Sequence, residues 1–217
     1  MNKLFAKNQK PFPVIVLFVL IFGFMSAHAQ TRLTPISGAV FYGKGILTDY
    51  DTELNSLLLP SSFRFAYIVR PSFTPEYSLV GVNDSTLILR KAKQQIWRQM
   101  NKHEKVSIKE YQLQISPAIM DSISKLFKLA VLTSSYRDKF EGLDGTYYNF
   151  IVGSHTAECW SPTAGTNCGK LVALANSICE AVEQQDNMLI KRNMNLISEL
   201  HHTFKTLYNR EALDDRQ

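Results

Sequence analysis

Three arrangements in or just beyond LDGTYYNFIVGSHTAECWSPTAGTNCGKL, Leu143 to Leu171, have residue types suited to chemistry. His155 precedes Cys159 on the same short segment, with Asp144 upstream, and these are the residue types of a thiol nucleophile, its base and an orienting acid. Gly165, Gly169 and Lys170 gather the residues of a phosphate-binding loop. Cys159, Cys168 and Cys179 are the chain's three cysteines, and in an oxidising compartment a pair of them can bond.

Each arrangement has a geometric requirement. Gly153-Ser154 fits a two-residue hairpin turn, which pairs Val152 with His155, Phe150 with Ala157, and Tyr148 with Cys159. The opposite face then holds Ile151 with Thr156, Asn149 with Glu158, and Tyr147 with Trp160. The first set is the more apolar and is expected to face the core, taking Cys159 inward. His155 and Cys159 share that face but are separated along one strand by roughly 13 Å, too far for a catalytic pair. No catalytic residue is assigned. The phosphate loop fails on spacing, because its glycines are one residue too close and Leu171 stands where a Ser or Thr should hold the metal. Gly165 to Lys170 is read instead as the lead-in to a helix.

If Cys168 and Cys179 lie on one helix they are about 16 Å apart and cannot bond. A Cys159–Cys168 bond would close a short loop through Trp160-Ser161-Pro162 and contribute roughly 2–3 kcal/mol on the chain-entropy model. Cys159–Cys179 and three free thiols are the competing states. No C-x-x-C pattern or nearby His pair supports a metal site, and no cofactor is expected.

Residues 90–109 carry Arg90, Lys91, Lys93, Arg98, Lys102, Lys105 and Lys109 against Glu104 alone. Arg90, Lys91, Lys93 and Arg98 form a candidate anion-binding face for an acidic glycan, a lipid headgroup or an acidic protein; the competing explanation is the solvated side of an amphipathic helix. His201 and His202 diverge by about 100° on a helix and do not share a ligand.

The elements that must position these groups begin after residue 29. Lys3, Lys7 and Lys10, the apolar run Val14 to Phe24, and Ala27-His28-Ala29 have the layout of a secretory signal peptide, 1–29. The expected location is periplasmic or secreted. Three of the 24 Lys+Arg leave with the signal, so 21 face 19 Asp+Glu and the net charge falls from +5 to +2. Near-neutrality and export argue against a nucleic-acid partner, and no later segment is long and apolar enough to span a membrane.

Residues 30–185 read as a single domain. An edge strand is expected near Ala39 to Tyr42, and a short helical piece near Glu53 to Leu59. Strands follow at Phe63 to Arg70, Tyr77 to Val82, Thr86 to Leu89 and Val106 to Ile115, with Asn83-Asp84-Ser85 as a turn. Helical spacing appears at 91–102. A second helix runs from Ser116-Pro117, N-cap and first helical residue, to about Thr133. After Gly169 no Gly or Pro interrupts the chain, which reads as helix with a hinge at Glu183 to Asn187. The class is α+β: an antiparallel sheet with hairpins packed against helices on one face, and a long helical C-terminus. Residues 186–217 form a C-terminal helix that docks on its own domain or binds a partner, and 186–210 offers a surface for a homodimer.

LDGTYYNF, followed by CWSP and a breaker-free helix, resembles small exported bacterial proteins of unknown function over roughly residues 110–185. The resemblance implies structural roles for Asp144-Gly145 and Trp160-Ser161-Pro162 and no activity. The expectation is an exported, non-enzymatic protein that binds a partner protein or an envelope component. The alternative is a small hydrolase using Cys159 or a Ser/His/Asp set assembled in space.

Overall fold

Alternation along the strands sets the architecture. In β2 (Phe65–Pro71), Phe65, Tyr67 and Val69 turn to one face of the sheet, while Ala66, Ile68 and Arg70 turn to the other. Ala66 and Ile68 are as buried as their neighbours, so both faces of the sheet are covered. The computed structural model describes residues 30–36, 46–136 and 144–214. The signal segment 1–29 and the strand expected near Ala39 to Tyr42 lie outside the described residues.

The elements run β1 (Thr34–Ile36), α1 (Ile46–Leu58), β2, β3 (Tyr77–Gly81), β4 (Thr86–Ala92), α2 (Ile96–Lys102), β5 (Ile108–Gln114) and α3 (Pro117–Leu132). They continue with β6 (Thr146–Val152), β7 (His155–Trp160), α4 (Asn167–Gln184), α5 (Asn187–Arg192) and α6 (Met194–Asp214). The strands form one sheet in the order β1-β7-β6-β2-β3-β4-β5, every neighbouring pair antiparallel. The α+β class follows directly. So does the hairpin register, with Val152 opposite His155, Phe150 opposite Ala157 and Tyr148 opposite Cys159.

The larger core joins Phe65, Tyr67, Leu79, Leu87, Leu89, Phe150 and Ala157 to α3, α4, α5 and α6. Phe127 of α3 meets Phe65 and Phe150 edge-on at 5.0 and 5.1 Å, a favoured aromatic geometry. Ser116 caps α3, its hydroxyl accepting from the Ile119 N–H, with Pro117 in the first turn. The hinge in the C-terminal helices falls at Gln185, in the left-handed conformation, and Asp186, which caps α5. The helix α6 docks along α3 through buried Ile197, Leu200 and Phe204, with Leu196 and Leu207 packed beside them. Most of the apolar face within 186–210 is therefore occupied inside the chain.

Two features differ from the sequence expectation. The helix expected over 91–102 starts at Ile96, because β4 continues to Ala92, which pairs with Ile108. The ladder overrides a weak helical pattern. Helices also cover both faces rather than one: α1 and α2 pack Leu54, Leu58 and Ile96 against Ile68 and Ala92 in a second, smaller core.

Candidate functional site

The three cysteines are core residues. Cys159, Cys168 and Cys179 are all buried and unbonded, so of the states left open by the sequence the structure shows three free thiols and not the possible Cys159–Cys168 disulfide. Burial pushes the Cys159 thiol well up, and a hydrogen bond with Cys168 pushes it further. Cys179 is likewise raised by burial. A thiol kept protonated and away from solvent is a core group. His155 sits exposed at the hairpin turn. Ser161, the other candidate nucleophile of this stretch, has φ 35° and uses its Oγ to accept the Thr146 N–H at 2.9 Å.

The candidate anion-binding residues are distributed rather than gathered. Arg90 and Lys91 are successive strand residues and point to opposite faces. Arg90 is paired with Glu110 at 2.8 Å, and Lys91 crosses to Glu183 of α4 at 2.9 Å. Lys93 and Arg98 are exposed. Lys91 lines a cavity of about 190 Å³ against α4, and Arg98 lines a larger cleft that belongs to a different set of residues.

The cleft lies on the α1–α2 side of the sheet, around Arg70. Strand alternation places Arg70 on the same face as Ala66 and Ile68, opposite Tyr147 in the ladder. Its guanidinium lies 5.3 Å from the Tyr147 ring centroid, a cation–π contact. Its two terminal nitrogens reach Asp51 of α1 at 3.4 Å and Glu158 of β7 at 3.2 Å. Asn149, opposite Glu158, donates to the same Glu158 oxygen at 3.0 Å. Burial raises the Asp51 carboxyl above its ordinary value, and the neighbouring guanidinium pulls it back only in part.

One residue before β3, Glu76 is buried and fully engaged. One carboxylate oxygen accepts the Tyr50 hydroxyl at 2.9 Å, and the other accepts the backbone N–H of Ile96 at 2.8 Å. Burial first, then Glu76, drive the Tyr50 hydroxyl upward, so it remains a donor. Gln95 completes this floor by donating to the Ser72 and Thr74 carbonyls at 3.1 and 3.3 Å.

Above the floor Trp97 packs edge-on against Tyr50, centroids 5.6 Å apart, yet stays 40% exposed. Tyr50, Trp97, Tyr147, Arg70, Glu76, Gln95 and Arg98 line an open cleft of about 510 Å³. A smaller cavity of about 130 Å³ adjoins it across Arg70, lined by Asp51, Leu54, Ile68 and Asn149. Arg70 is paired with Asp51 and Glu158 beneath the cleft, and the residues lining the cleft carry two cations, Arg70 and Arg98, and one carboxylate, Glu76. Glu76 is held by the Tyr50 hydroxyl and the Ile96 N–H, Gln95 by two backbone carbonyls, and the walls of the cleft are aromatic.

Sequence reasoning missed this set because it packed helices on one face of the sheet only, and the hairpin face carrying Asn149, Glu158 and Tyr147 is the less apolar one. The signal was present: Arg70 falls in register with Ala66 and Ile68, two apolar residues that need a cover. Among the described residues no three His, Cys, Asp or Glu gather to hold a metal ion, and no helix is long and apolar enough to cross a membrane. No protein-family model matches the chain, and no curated protein matches it.

Proposed function

We propose that this is an exported, non-enzymatic binding protein whose cleft takes an uncharged envelope saccharide. The carrying observation is the half-exposed Trp97 beside Tyr50 and Tyr147, above a floor of Glu76, Gln95 and Arg70 whose polar groups are already hydrogen-bonded. A sugar ring presents an apolar C–H face and an edge of hydroxyls. Aromatic walls match the first, and rigid carboxylate and amide acceptors match the second. The volume lies within the range of small-ligand sites. The Arg70 guanidinium is already paired with Asp51 and Glu158, which favours a neutral ligand over an anion beside it. The inaccessible thiols favour binding over hydrolysis, and the signal-like segment 1–29 favours an envelope location.

Titration with soluble N-acetylglucosamine oligomers, followed by tryptophan fluorescence and calorimetry, tests this reading. Saturable binding that W97A weakens by about tenfold or more is expected. A W97A variant that binds as well as the parent, or no saturable signal with neutral oligosaccharides, would overturn it.

A further inference from the structure

The groove between α3 and α6, on the opposite side of the sheet from the saccharide cleft, has a different chemistry. It has a volume of about 420 Å³ and is lined by Lys125, Lys128, Leu129 and Leu132 of α3 and by His201, Lys205, Tyr208 and Asn209 of α6. The two helices bring these residues together through i, i+3, i+4 and i+7 spacing on α3 and i, i+4, i+7 and i+8 spacing on α6. Across residues 122–132 and 200–210 the sequence holds Lys125, Lys128, Lys205 and Arg210 and no Asp or Glu. Just outside these spans, Asp121 pairs with Lys125 at 2.7 Å and lies 3.8 Å from Arg64, and Glu199 pairs with Lys170 at 2.7 Å. Lys128 and Lys205 stay exposed and make no ion pair with any described residue.

The floor is apolar. Leu129 and Leu132 are half-buried, and Tyr208, which lines the groove with them, is 43% exposed. Ordinary solvated lysines need no apolar concavity, and an ordinary apolar dent needs no ring of cations. We propose that this groove binds a single-chain anionic amphiphile, such as a fatty acid or a lysophospholipid. The chain lies on Leu129, Leu132 and Tyr208, and the carboxylate or phosphate head sits among Lys125, Lys128, Lys205 and His201. Long lysine stems can line the chain while their ammonium groups reach the head. The concave shape favours one amphiphile over a flat membrane surface, and the charge favours an anionic head over a neutral one.

The test titrates purified protein with dodecanoate below its micelle concentration, with dodecyl maltoside as the neutral amphiphile and inorganic phosphate as the chainless anion. Dodecanoate is expected to bind saturably, one per chain. Affinity should fall about tenfold or more in K128E/K205E and as salt rises from low to physiological strength. Both substituted residues are exposed, so circular dichroism and thermal melting should match the parent. L129S is a second, independent variant, expected to weaken dodecanoate and leave N-acetylglucosamine binding unchanged. Equal affinity for dodecyl maltoside would overturn the proposal. So would equal affinity for phosphate, or an undiminished dodecanoate affinity in K128E/K205E. Preferential binding to anionic vesicles with no affinity for the monomer would overturn it in favour of a membrane surface.

Discussion

The buried carboxylate of Glu76 accepts the backbone N–H of Ile96, the first residue of α2, at 2.8 Å. Gln95, at the N-cap position, gives α2 no side-chain cap, so a residue distant in sequence supplies the missing acceptor. The other oxygen of Glu76 holds Tyr50 of α1. One side chain thus fixes both helices of the cleft to the start of β3.

Removing that carboxylate leaves the Tyr50 hydroxyl and the Ile96 N–H without their acceptor in a buried site. E76A is expected to destabilise the protein by about 2–4 kcal/mol. E76Q keeps one acceptor oxygen and should lose about half as much. Urea unfolding midpoints measure both, and an E76A midpoint indistinguishable from the parent would refute the double-anchor role.

Much of this frame was legible in the sequence, and the reasons are local. The 147–152 and 155–160 hairpin was fixed by Gly153-Ser154 and by alternation, and α3 by Ser116-Pro117 and its apolar spacing. The cleft was less legible because its parts come from distant segments: Asp51, Arg70, Glu76, Trp97, Tyr147 and Glu158. No short pattern marks them, and the face of the sheet they occupy is the one left without helices in the sequence reading, although α1 and α2 cover Ile68 and Ala92 there. The thiol contact between Cys159 and Cys168 was legible as proximity. Whether proximity becomes a bond is set by sulfur geometry that spacing does not encode.

Two glycines close together in the sequence should respond oppositely to alanine. A Cβ on Gly169 would lie 2.0 Å from the Thr163 carbonyl oxygen and 2.8 Å from the Ala164 Cα, both backbone atoms. The loop carrying CWSPT and the first turn of α4 are pressed together there, and neither can yield like a flexible side chain. G169A is expected to cost about 2–3 kcal/mol despite the better helix propensity of alanine. Gly165 has no atom within 4 Å of a Cβ, so G165A should be neutral or stabilise by about 0.5 kcal/mol. Paired thermal melts of the two variants check the contrast, and equal losses would contradict it.

The cysteines should be three thiols that are slow to react. Cys159 is 1%, Cys168 0% and Cys179 7% exposed. Burial raises both Cys159 and Cys179, reducing the thiolate that attacks an alkylating reagent. Iodoacetamide labelling of the folded protein is expected to be on the order of a hundredfold slower than after unfolding, since labelling then requires an opening event. Mass spectrometry after denaturation without reductant should show three modified cysteines. Only one modified cysteine would reveal a bonded pair, contrary to the structure.

Two carboxylates on opposite sides of the sheet should give opposite pH signatures. A hydrogen bond from the Lys91 ammonium holds the Glu183 carboxyl below its ordinary range, with the Tyr111 hydroxyl adding a second bond at 3.0 Å; burial opposes both. A folded pKa below the unfolded one means the folded state prefers the charged form. Its stabilising contribution is present above the unfolded value, about 4.3 for Glu, and is lost as pH falls through the lower folded value. Asp51 has the reverse sign, because burial raises its carboxyl and Arg70 offsets that only in part. Its contribution is present below the unfolded value, about 3.9 for Asp, and is lost as pH rises through the higher folded value. The stability gap between parent and E183Q should therefore be widest at neutral pH and close on acidification below about 4. Relative to the parent, D51N should gain stability as pH rises above about 4, whatever constant loss follows from altering the partner of Arg70. The slope of each gap is the measurement, from urea midpoints between acidic and neutral pH, with Glu183 giving the smaller change because its side chain is 37% exposed. Slopes of the same sign for the two variants would contradict the opposing environments of these carboxyls.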